Sequence, residues 1–347
     1  MIHGEQPTAV VILNWNGKTF LEQFLPALIK NTPAATIIVA DNNSSDESVS
    51  FLSKNYPNIE VIQNKSNGGF AKGYNDALAL LKGRFSNYVL INSDIEVTPG
   101  WLEPLVQKVN QKNVAGAQPK VRAYHRRSHF EHAGASGGFI DKNYYPFCRG
   151  RIFDAVEPDN GQYDNEKEIF WTTGACMIIR ADIYHELGGL DADFFAHMEE
   201  IDLCWRAKKS GYSFYVVPDS LVYHVGGGTL TYENPRKTFL NFRNSLFMIH
   251  KNHEGWLFGK IIYRMILDGI AGLKYLASFN GKHFNAILKA HFAYYRQLKT
   301  LNKKRKAIKE STTTFNKTGL YKASLLWAYF FKGVKSFKGL NKRFFAD

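Results

Sequence analysis

The sequence predicts an α/β protein built on a mostly parallel sheet with helices on both faces. Short apolar runs of strand length alternate with amphipathic helical patterns over the first 120 residues, and four of the strand-like runs end in polar clusters. The chain of 347 residues is 45% hydrophobic and 14% aromatic, which is enough to bury a large core. Since regular alternation of strands and helices gives parallel strands covered by crossover helices, we expect a doubly wound architecture.

The strand and helix patterns follow a regular order along the chain. The apolar runs of strand length are residues 8–14, 36–41, 59–64 and 87–92. Apolar residues recur at helical spacing in residues 18–31, 44–55 and 70–83. Ser44 and Glu47 have the spacing of a capping box, so they predict the start of the second helix. Later patterns predict a helix at about 198–210 and strands near 213–217 and 221–224.

Polar residues follow each of the four predicted strands of the first half. These clusters lie at residues 14–17, 41–46, 64–69 and 92–94. Because the carboxyl ends of parallel strands meet at one edge of a sheet, ligands bind in the crevice there. The sequence therefore predicts a binding crevice formed by these four loops. Residues 120–170, rich in Gly, His and Tyr, are predicted to form long loops over it.

The C-terminal part differs from the rest of the chain in charge. Residues 251–347 hold 20 lysines and arginines against 4 acids, a net charge of +16, whereas the first 250 residues carry −3. Four basic, aromatic-rich helices are expected past residue 236, at 237–252, 259–279, 284–304 and 319–340. Basic amphipathic helices favour an anionic membrane surface as partner, and a merely solvated basic face is the second interpretation. Nucleic acid is not expected, because no nucleic-acid-binding motif accompanies the charge.

The cellular setting is predicted from further features of the sequence. No secretory signal opens the chain, and no apolar stretch has the roughly 18 residues needed to span a bilayer. Cys148, Cys176 and Cys204 lie far apart without C-x-x-C spacing, which favours reduced thiols. We therefore expect a cytoplasmic protein.

Seven motifs follow one another between residues 8 and 250, namely "VVILNWNG", "VADNNSSDES", "NKSNGGFAKGYN", "LINSDIEV", "WTTGACMIIR", "FFAHMEEIDLCWRAKKSGY" and "VPDSLVYHVGGG". In this order and spacing they resemble family 2 glycosyltransferases of the GT-A fold, particularly bacterial rhamnosyltransferase-like enzymes of polysaccharide assembly. The resemblance implies a catalytic domain over residues 1–235, with a donor half to about 118 and an acceptor half from about 119. Residues 236–347 match only in general character and are expected to form a basic helical region that associates with the membrane.

The resemblance implies a nucleotide-sugar site at the strand ends. Trp15 stands where a flat ring can stack beside the nucleobase, and Asp41 where an acid bonds the base or ribose. The complete implied set is Asn14, Trp15, Asn16, Asp41, Asn43, Asn67, Gly69, Lys72, Asn75, Asn92 and Ser93. From the residues alone, Gly69 is also consistent with a turn before a helix, and Asn75 with a local hydrogen bond.

Within the motif "LINSDIEV", Asn92-Ser93-Asp94 has one carboxylate where the family has an acid-x-acid pair. The resemblance implies that Asp94 binds a divalent cation directly and that His224 supplies a second ligand, with Asn92 replacing the first acid. Mg²⁺ takes one or two protein carboxylates together with phosphate and water, and Mn²⁺ also accepts imidazole. The expected cofactor is therefore Mg²⁺ or Mn²⁺, with the glycines at 226–228 admitting a diphosphate. A structural histidine is the alternative.

The motif "HMEEIDLCWR" carries the expected catalytic base. The resemblance implies Glu200 in that role, where the family more usually has Asp. Asp202 and Arg206 are four residues apart on the predicted helix and can pair, while Glu200 lies about 200° of helical turn from Asp202. Glu199 can raise the basicity of Glu200 by repulsion. The alternative is a solvated acidic helix start, which the helix dipole favours.

Residues expected near the acceptor come from two further motifs. Trp171, Thr173 and Gly174 match the stretch that lines the donor sugar and acceptor, and Asp191 matches a loop acid close to the acceptor. Core packing is the alternative for Trp171, because large aromatic side chains are usually buried for stability.

The expected function is inverting, metal-dependent transfer of a sugar from dTDP-rhamnose or a UDP-sugar to a glycan or polyprenyl-linked glycan. The setting implied by the resemblance is cell-surface polysaccharide biosynthesis at the inner face of the cytoplasmic membrane. Two alternatives stay open. A sugar nucleotidyltransferase normally opens with a Gly-rich, basic phosphate loop, which "ILNWNGKTF" lacks. A non-catalytic protein on the same scaffold would bind the nucleotide sugar without turnover.

Overall fold

The computed structural model describes residues 7–226 and 234–346. Its strands are β1 (Thr8–Asn14), β2 (Thr36–Asp41), β3 (Glu60–Gln63), β4 (Asn87–Asn92), β5 (Ile95–Val97), β6 (Val114–Ala123), β7 (Gly138–Asp141), β8 (Pro146–Cys148), β9 (Arg151–Ile152), β10 (Ala155–Val156), β11 (Lys167–Ile169), β12 (Cys176–Arg180), β13 (Ser213–His224) and β14 (Leu320–Tyr321). Its helices are α1 (Lys18–Lys30), α2 (Ser48–Asn55), α3 (Gly69–Leu80), α4 (Leu102–Val109), α5 (Ala181–Glu186), α6 (Glu199–Lys209), α7 (Pro235–Asn252), α8 (Leu257–Ala277), α9 (Gly281–Arg296) and α10 (Leu298–Ser311).

The large sheet has the order β11-β13-β6-β12-β4-β1-β2-β3, and β5 pairs with β13. Strand β1 runs parallel to β2 and β4, and β2 runs parallel to β3, so the predicted parallel half is confirmed. Strand β12 is antiparallel to both β4 and β6 and joins this half to the second one. The sheet is therefore mixed, and the α/β fold class is as predicted.

Successive residues of β1 pack against helices on opposite faces of the sheet. Val10 belongs to a core cluster with residues of α1 and α4, whereas Val11 belongs to a cluster with residues of α3. Both valines are fully buried. Burial on both faces explains why the strand is an apolar run without polar alternation.

The capping-box prediction at the second helix was wrong. Helix α2 begins at Ser48, and the side chain of its N-cap residue, Glu47, makes no capping hydrogen bond. The backbone N–H of Ser48 donates instead to Oδ1 of Asp46 at 3.0 Å. The hydroxyl of Ser44 instead accepts hydrogen bonds from Nδ2 of Asn14 and from the backbone N–H of Asn16. Ser44 therefore ties two strand-end loops together, which the local spacing could not reveal.

The prediction of long loops over residues 120–170 was also wrong in part. Strands β7 to β10 lie in this segment and form a second sheet with β14, in the order β10-β9-β8-β7-β14. Each of these four strands has only two to four residues. Runs of this length are too short to show a period of two in the sequence.

The C-terminal helices differ from the predicted set at two places. The third predicted helix is divided into α9 and α10 at Gln297. Residues 319–340 do not form one long helix. Strand β14 pairs with β7, and the rest contains only a five-residue π-helical segment, Trp327–Phe331, and a 3-10 turn, Phe337–Gly339. Tyr321, Phe337 and Phe345 pack around Phe147 of the second sheet, so these aromatic residues fill a core and do not follow a helical face.

Candidate active site

The ends of β1 and β2 meet through Asn14 and Asp41, as the parallel register predicts. Nδ2 of Asn14 donates to Oδ1 of Asp41 over 3.2 Å. Oδ2 of Asp41 accepts the backbone N–H of Ser44 at 2.9 Å. Asp41 is buried. The carboxylate therefore shapes the loop after β2, and both of its oxygens are engaged by protein groups.

The loops after β1 and β2 are interlocked by Asn16. This residue has a positive φ of 51°, and its Oδ1 accepts the backbone N–H of Ser45 at 2.7 Å. Asn43 also has a positive φ, of 62°. Asparagine tolerates this left-handed region better than most residues, which explains its recurrence here. Trp15 is 46% exposed, so its ring is available for stacking on a ligand.

The loop after β3 requires glycine at position 69. Gly69 has a φ of +82°, and a Cβ there would lie 2.4 Å from the carbonyl oxygen of Phe195. Its N–H donates to Oδ1 of Asn67 at 2.9 Å. The turn interpretation of Gly69 is therefore correct for its backbone, and the turn brings this loop against the segment that precedes α6.

Two other predicted nucleotide contacts are engaged within the protein. The amide of Asn75 donates to the carbonyl of Leu190 and accepts from its N–H and from the hydroxyl of Tyr184. Asn75 thus fixes α3 to the loop after α5. Lys72 is 2.5 Å from Asp76 in an exposed ion pair, which a phosphate can displace at little cost.

Asp94 and His224 lie together although 130 residues separate them. The antiparallel pairing of β5 with β13 sets His224 opposite Ile95. Nε2 of His224 is 3.2 Å from Oδ1 of Asp94, and both side chains are buried. Since ligand distances to Mg²⁺ or Mn²⁺ are about 2.1 Å, two neighbouring ligands of one ion lie about 3 Å apart, and this pair fits that spacing.

Glu131 completes the surroundings of His224, although it lies in none of the seven sequence motifs. Its Oε2 is 3.3 Å from Nδ1 of His224 and also accepts the backbone N–H of Ala133. Metal-binding histidines usually direct their second nitrogen at a carboxylate, which fixes the ring orientation. A weak signal was present, because Glu131 is the single acid between residues 121 and 140.

Electrostatics hold these three side chains as a buried ionic group. Burial opposes the charge on His224, but Asp94 and Glu131 outweigh it and raise the pKa of the imidazole to about 10. Burial also opposes ionisation of the two carboxyls, yet the contact with His224 lowers the pKa of each. A histidine must be neutral to bind a metal, so a cation would replace the proton on Nε2.

The donor set fits a cation with two protein ligands. No group of three or more His, Cys, Asp or Glu side chains within residues 7–226 and 234–346 is placed to hold a metal ion. Asp94 and His224 would therefore need phosphate oxygens and water to complete the coordination shell. Asn92 donates its backbone N–H to the carbonyl of Ala175, and its side chain and that of Ser93 are partly exposed beside the acid. Of the three glycines after His224, those at 227 and 228 lie outside the described residues.

Glu200 lies in the first turn of α6, and its carboxyl group has the properties of a proton acceptor. Its Oε2 has no hydrogen-bond partner in the described parts of the chain, although the atom is buried. Burial raises the pKa of Glu200 to about 7. A Cβ placed on Gly174 would lie 3.8 Å from Cβ of Glu200, so the predicted sugar-lining motif borders this side chain. Burial, then repulsion from Glu200, raise the pKa of Glu199 well above its ordinary value.

The opposite side of α6 is fixed by an ionic network. The predicted Asp202–Arg206 pair is present, with Nε of Arg206 2.9 Å from Oδ2 of Asp202. Nζ of Lys251, on α7, lies 2.8 Å from the same oxygen and 2.5 Å from Oδ2 of Asp191. Burial opposes ionisation of Asp202, but the attraction of Lys251 and Arg206 lowers its pKa. Glu200 thus extends from a helix that is anchored on its other face.

The remaining predicted acceptor residues are largely structural. Trp171 is 4% exposed and donates Nε1–H to the carbonyl of Phe139, so core packing is its role in the fold. Thr173 is buried, and its hydroxyl donates to the carbonyl of Ala133. Oδ1 of Asp191 lies 2.5 Å from Nζ of Lys304, on α10, so both of its oxygens are engaged by lysines of the C-terminal helices.

Comparison with known proteins adds a family match. The model of glycosyl transferase family 2 matches residues 9–188. An N-acetylglucosaminyl-diphospho-decaprenol L-rhamnosyltransferase of Mycobacterium tuberculosis is 23% identical over 71% of this chain and 85% of its own length. The rhamnosyltransferase WbbL of Escherichia coli is 23% identical over 60% of this chain and 80% of its own.

Solved structures support the fold. A mannosyltransferase of Pyrobaculum calidifontis, in complex with GDP-Man and Mn²⁺, superposes with a TM-score of 0.51 at 12% identity, over 88% of this chain and 86% of its own. GalNAc-T7 with UDP, GalNAc and Mn²⁺ superposes with a TM-score of 0.56 at 16% identity, over 72% of this chain and about half (48%) of that one. The fold is therefore of the GT-A type.

Proposed function

The chain belongs to glycosyl transferase family 2, and we propose that it transfers a sugar with inversion from dTDP-rhamnose or a UDP-sugar to a glycan or polyprenyl-linked glycan. The observation that carries this proposal is Glu200. Its carboxyl group has an unpartnered oxygen and a pKa of about 7, beside the motif expected to line the sugar. Such a group is suited to general-base catalysis near neutral pH.

In the proposed reaction, Glu200 accepts the proton of an acceptor hydroxyl while that oxygen attacks the anomeric carbon. The bond between this carbon and the diphosphate oxygen breaks, and its electron pair leaves with the nucleoside diphosphate. Glu199, with its own raised pKa, can stay protonated beside Glu200 and so leave a single negative charge there. Attack from the face opposite the leaving group inverts the configuration.

The leaving group would be held by the strand-end loops. Trp15 offers an exposed ring for the base, and Asp41 and Asn43 would lie beside the ribose. Asp94 and His224 would hold Mg²⁺ or Mn²⁺, and the cation would supply Lewis-acid neutralisation of the diphosphate charge. Glu131 would orient the ring of His224, because it faces the second ring nitrogen.

Two relatives support the donor and acceptor classes. The names of the Mycobacterium tuberculosis and Escherichia coli proteins specify rhamnosyl transfer, and the first names N-acetylglucosaminyl-diphospho-decaprenol as the acceptor. The first donor to test is therefore dTDP-rhamnose, and the first acceptor is a polyprenyl diphosphate-linked sugar. With a lipid-linked acceptor, this chain would act in polysaccharide biosynthesis at the inner face of the cytoplasmic membrane.

The proposal is tested by a nucleotide-sugar screen with Mn²⁺, first by thermal shift and then by transfer. We expect dTDP-rhamnose or a UDP-sugar to stabilise the protein and to release nucleoside diphosphate when a polyprenyl-linked acceptor is added. Release of pyrophosphate from a nucleoside triphosphate and a sugar phosphate would favour a nucleotidyltransferase instead. Donor binding without turnover on any acceptor would favour a non-catalytic binding protein.

A further inference from the structure

Helix α8 buries the ion pair of Arg264 and Asp268 on its inward face and carries apolar side chains outward. Arg264 and Asp268 are 5% and 1% exposed, and Nε of Arg264 donates to Oδ1 of Asp268 at 2.8 Å. Ile266 and Ile270, in the same two turns, are 57% and 60% exposed. A helix on the surface of a protein in water normally has the reverse arrangement. The outward face of α8 is therefore adapted to an apolar environment.

The exposed apolar residues of α8 form one continuous stripe. They are spaced by three or four residues and comprise Phe258, Ile262, Ile266, Ile270, Leu273 and Leu276. At about 100° per residue these positions fall within roughly 120° of the helix circumference. The helix of 21 residues is about 30 Å long, so the stripe extends along its full length.

Neighbouring segments extend this stripe on both sides. Tyr295, on α9, places its hydroxyl 3.3 Å from Sδ of Met265 and is itself 49% exposed. On the other side, Nζ of Lys274 lies 6.0 Å from the ring centroid of Phe330. Trp327 and Phe331 stack with centroids 4.4 Å apart and are 54% and 72% exposed. Contiguous apolar surface of this extent marks an interaction site.

The positive charge around the stripe indicates which kind of partner binds there. Exposed basic residues lie on the same elements, namely Lys274, Lys282, Lys289, Arg296, Lys332 and Lys335. The acids of described residues 251–346 are few, and Asp268 among them is buried. A second copy of this face would bring basic residues against basic residues without acids to pair with them. Anionic lipid headgroups complement both the basic rim and the apolar centre.

We propose that this surface, made of the outward face of α8 with Tyr295, Trp327, Phe330 and Phe331, docks on an anionic lipid bilayer with α8 parallel to the membrane plane. Among the described residues no helix is both long and apolar enough to cross a bilayer, and insertion to the depth of the headgroups needs none. The proposal rests on the proposed function in one respect, because a lipid-linked acceptor would lie in the membrane. The exposed apolar face of α8 supports the proposal independently of the reaction.

The test compares vesicle binding by the full chain and two variants. A double variant, Ile266→Asp with Ile270→Asp, places charge in the stripe. Leu80→Asp, on α3 and 66% exposed, is the matched control. With vesicles of phosphatidylglycerol and phosphatidylethanolamine, we expect the double variant to lose at least tenfold in affinity by co-sedimentation, and the control to bind like the unaltered chain. All three should melt at similar temperatures, since the altered side chains are exposed.

The alternatives are separated by the same samples. Equal vesicle binding by the unaltered chain and the double variant overturns the proposal. A dimer of the unaltered chain in lipid-free light scattering, lost in the double variant, assigns the face to a second copy and also overturns it. Glu200→Gln should bind vesicles normally, so a failure of the proposed chemistry would leave this result intact.

Discussion

Nζ of Lys251, on α7, lies between Oδ2 of Asp202, at 2.8 Å, and Oδ2 of Asp191, at 2.5 Å. Asp202 is on α6, the helix whose first turn carries Glu200. Asn252 adds a second contact, since its Nδ2 donates to Oδ1 of Asp202 at 2.8 Å. The end of α7 therefore holds the glutamate-bearing helix in place, and removing the chain after residue 250 would remove these contacts.

We predict that Lys251→Met destabilises the protein strongly. The substitution leaves Asp202, which is fully buried, with one cation fewer, and breaking a buried ion pair costs about 3–5 kcal/mol. The free energy of unfolding from urea titration measures the effect. Lys303→Met, at an exposed position of α10, is the control and should change it by less than about 0.5 kcal/mol. A loss below about 1 kcal/mol for Lys251→Met would contradict the positioning role.

We predict that Mn²⁺ binds weakly to the free protein and much more tightly once a nucleoside diphosphate is bound. The reason is that Asp94 and His224 supply two ligands and the diphosphate supplies others. Calorimetric titration with Mn²⁺, with and without UDP or dTDP, measures the difference. Asp94→Asn should abolish the increase. Equally tight binding with and without nucleotide would show that the cation does not depend on the diphosphate.

Glu131→Gln tests the orientation of His224. Loss of a carboxylate facing the second nitrogen of a metal-binding histidine lowers metal affinity by about 10- to 100-fold. We expect a loss of this size for Mn²⁺ in the presence of nucleoside diphosphate. Glu310→Gln, on the exposed surface of α10, is the matched control. Unchanged affinity in Glu131→Gln would remove Glu131 from the site.

The pH dependence of transfer follows from the raised pKa of Glu200, about 7. Only the ionised carboxylate accepts a proton, so kcat/KM should rise with pH, by about tenfold per unit below pH 6, and level off above pH 8. Measurements at saturating Mn²⁺ keep cation binding from contributing to the profile. A midpoint near pH 4.5, the ordinary value for a glutamate, would mean that burial does not tune this group.

The same shift has a consequence for stability. The folded-state pKa of Glu200 lies above its unfolded value of 4.5, so the folded state binds more protons between these two values. Stability contributed by the protonated group is present below pH 4.5 and is lost as pH rises through 7. Glu200→Gln should therefore melt at a higher temperature than the unaltered chain at pH 8, with a smaller difference at pH 5. A difference independent of pH would contradict the shift.

The sequence predicted those parts of the fold that have long, regular patterns. Strands β1, β2 and β4 were placed to the residue, because each is an unbroken apolar run. The second sheet was missed because its strands are too short to show alternation. The contact between Asp94 and His224 came from motif resemblance, whereas Glu131 and Lys251 belong to no motif. Their partners lie 93 and 49 residues away in the sequence, so only the folded chain brings them together.

The central claim is that Glu200 is the base of a sugar transfer. The most direct test compares Glu200→Gln with the unaltered chain in paired assays of transfer and donor binding. The amide has the same shape but accepts no proton, so we expect transfer to fall by about 10²- to 10⁴-fold. Donor affinity, measured by calorimetry with Mn²⁺, should change by less than about threefold. Transfer by Glu200→Gln at a rate close to that of the unaltered chain would contradict the assignment.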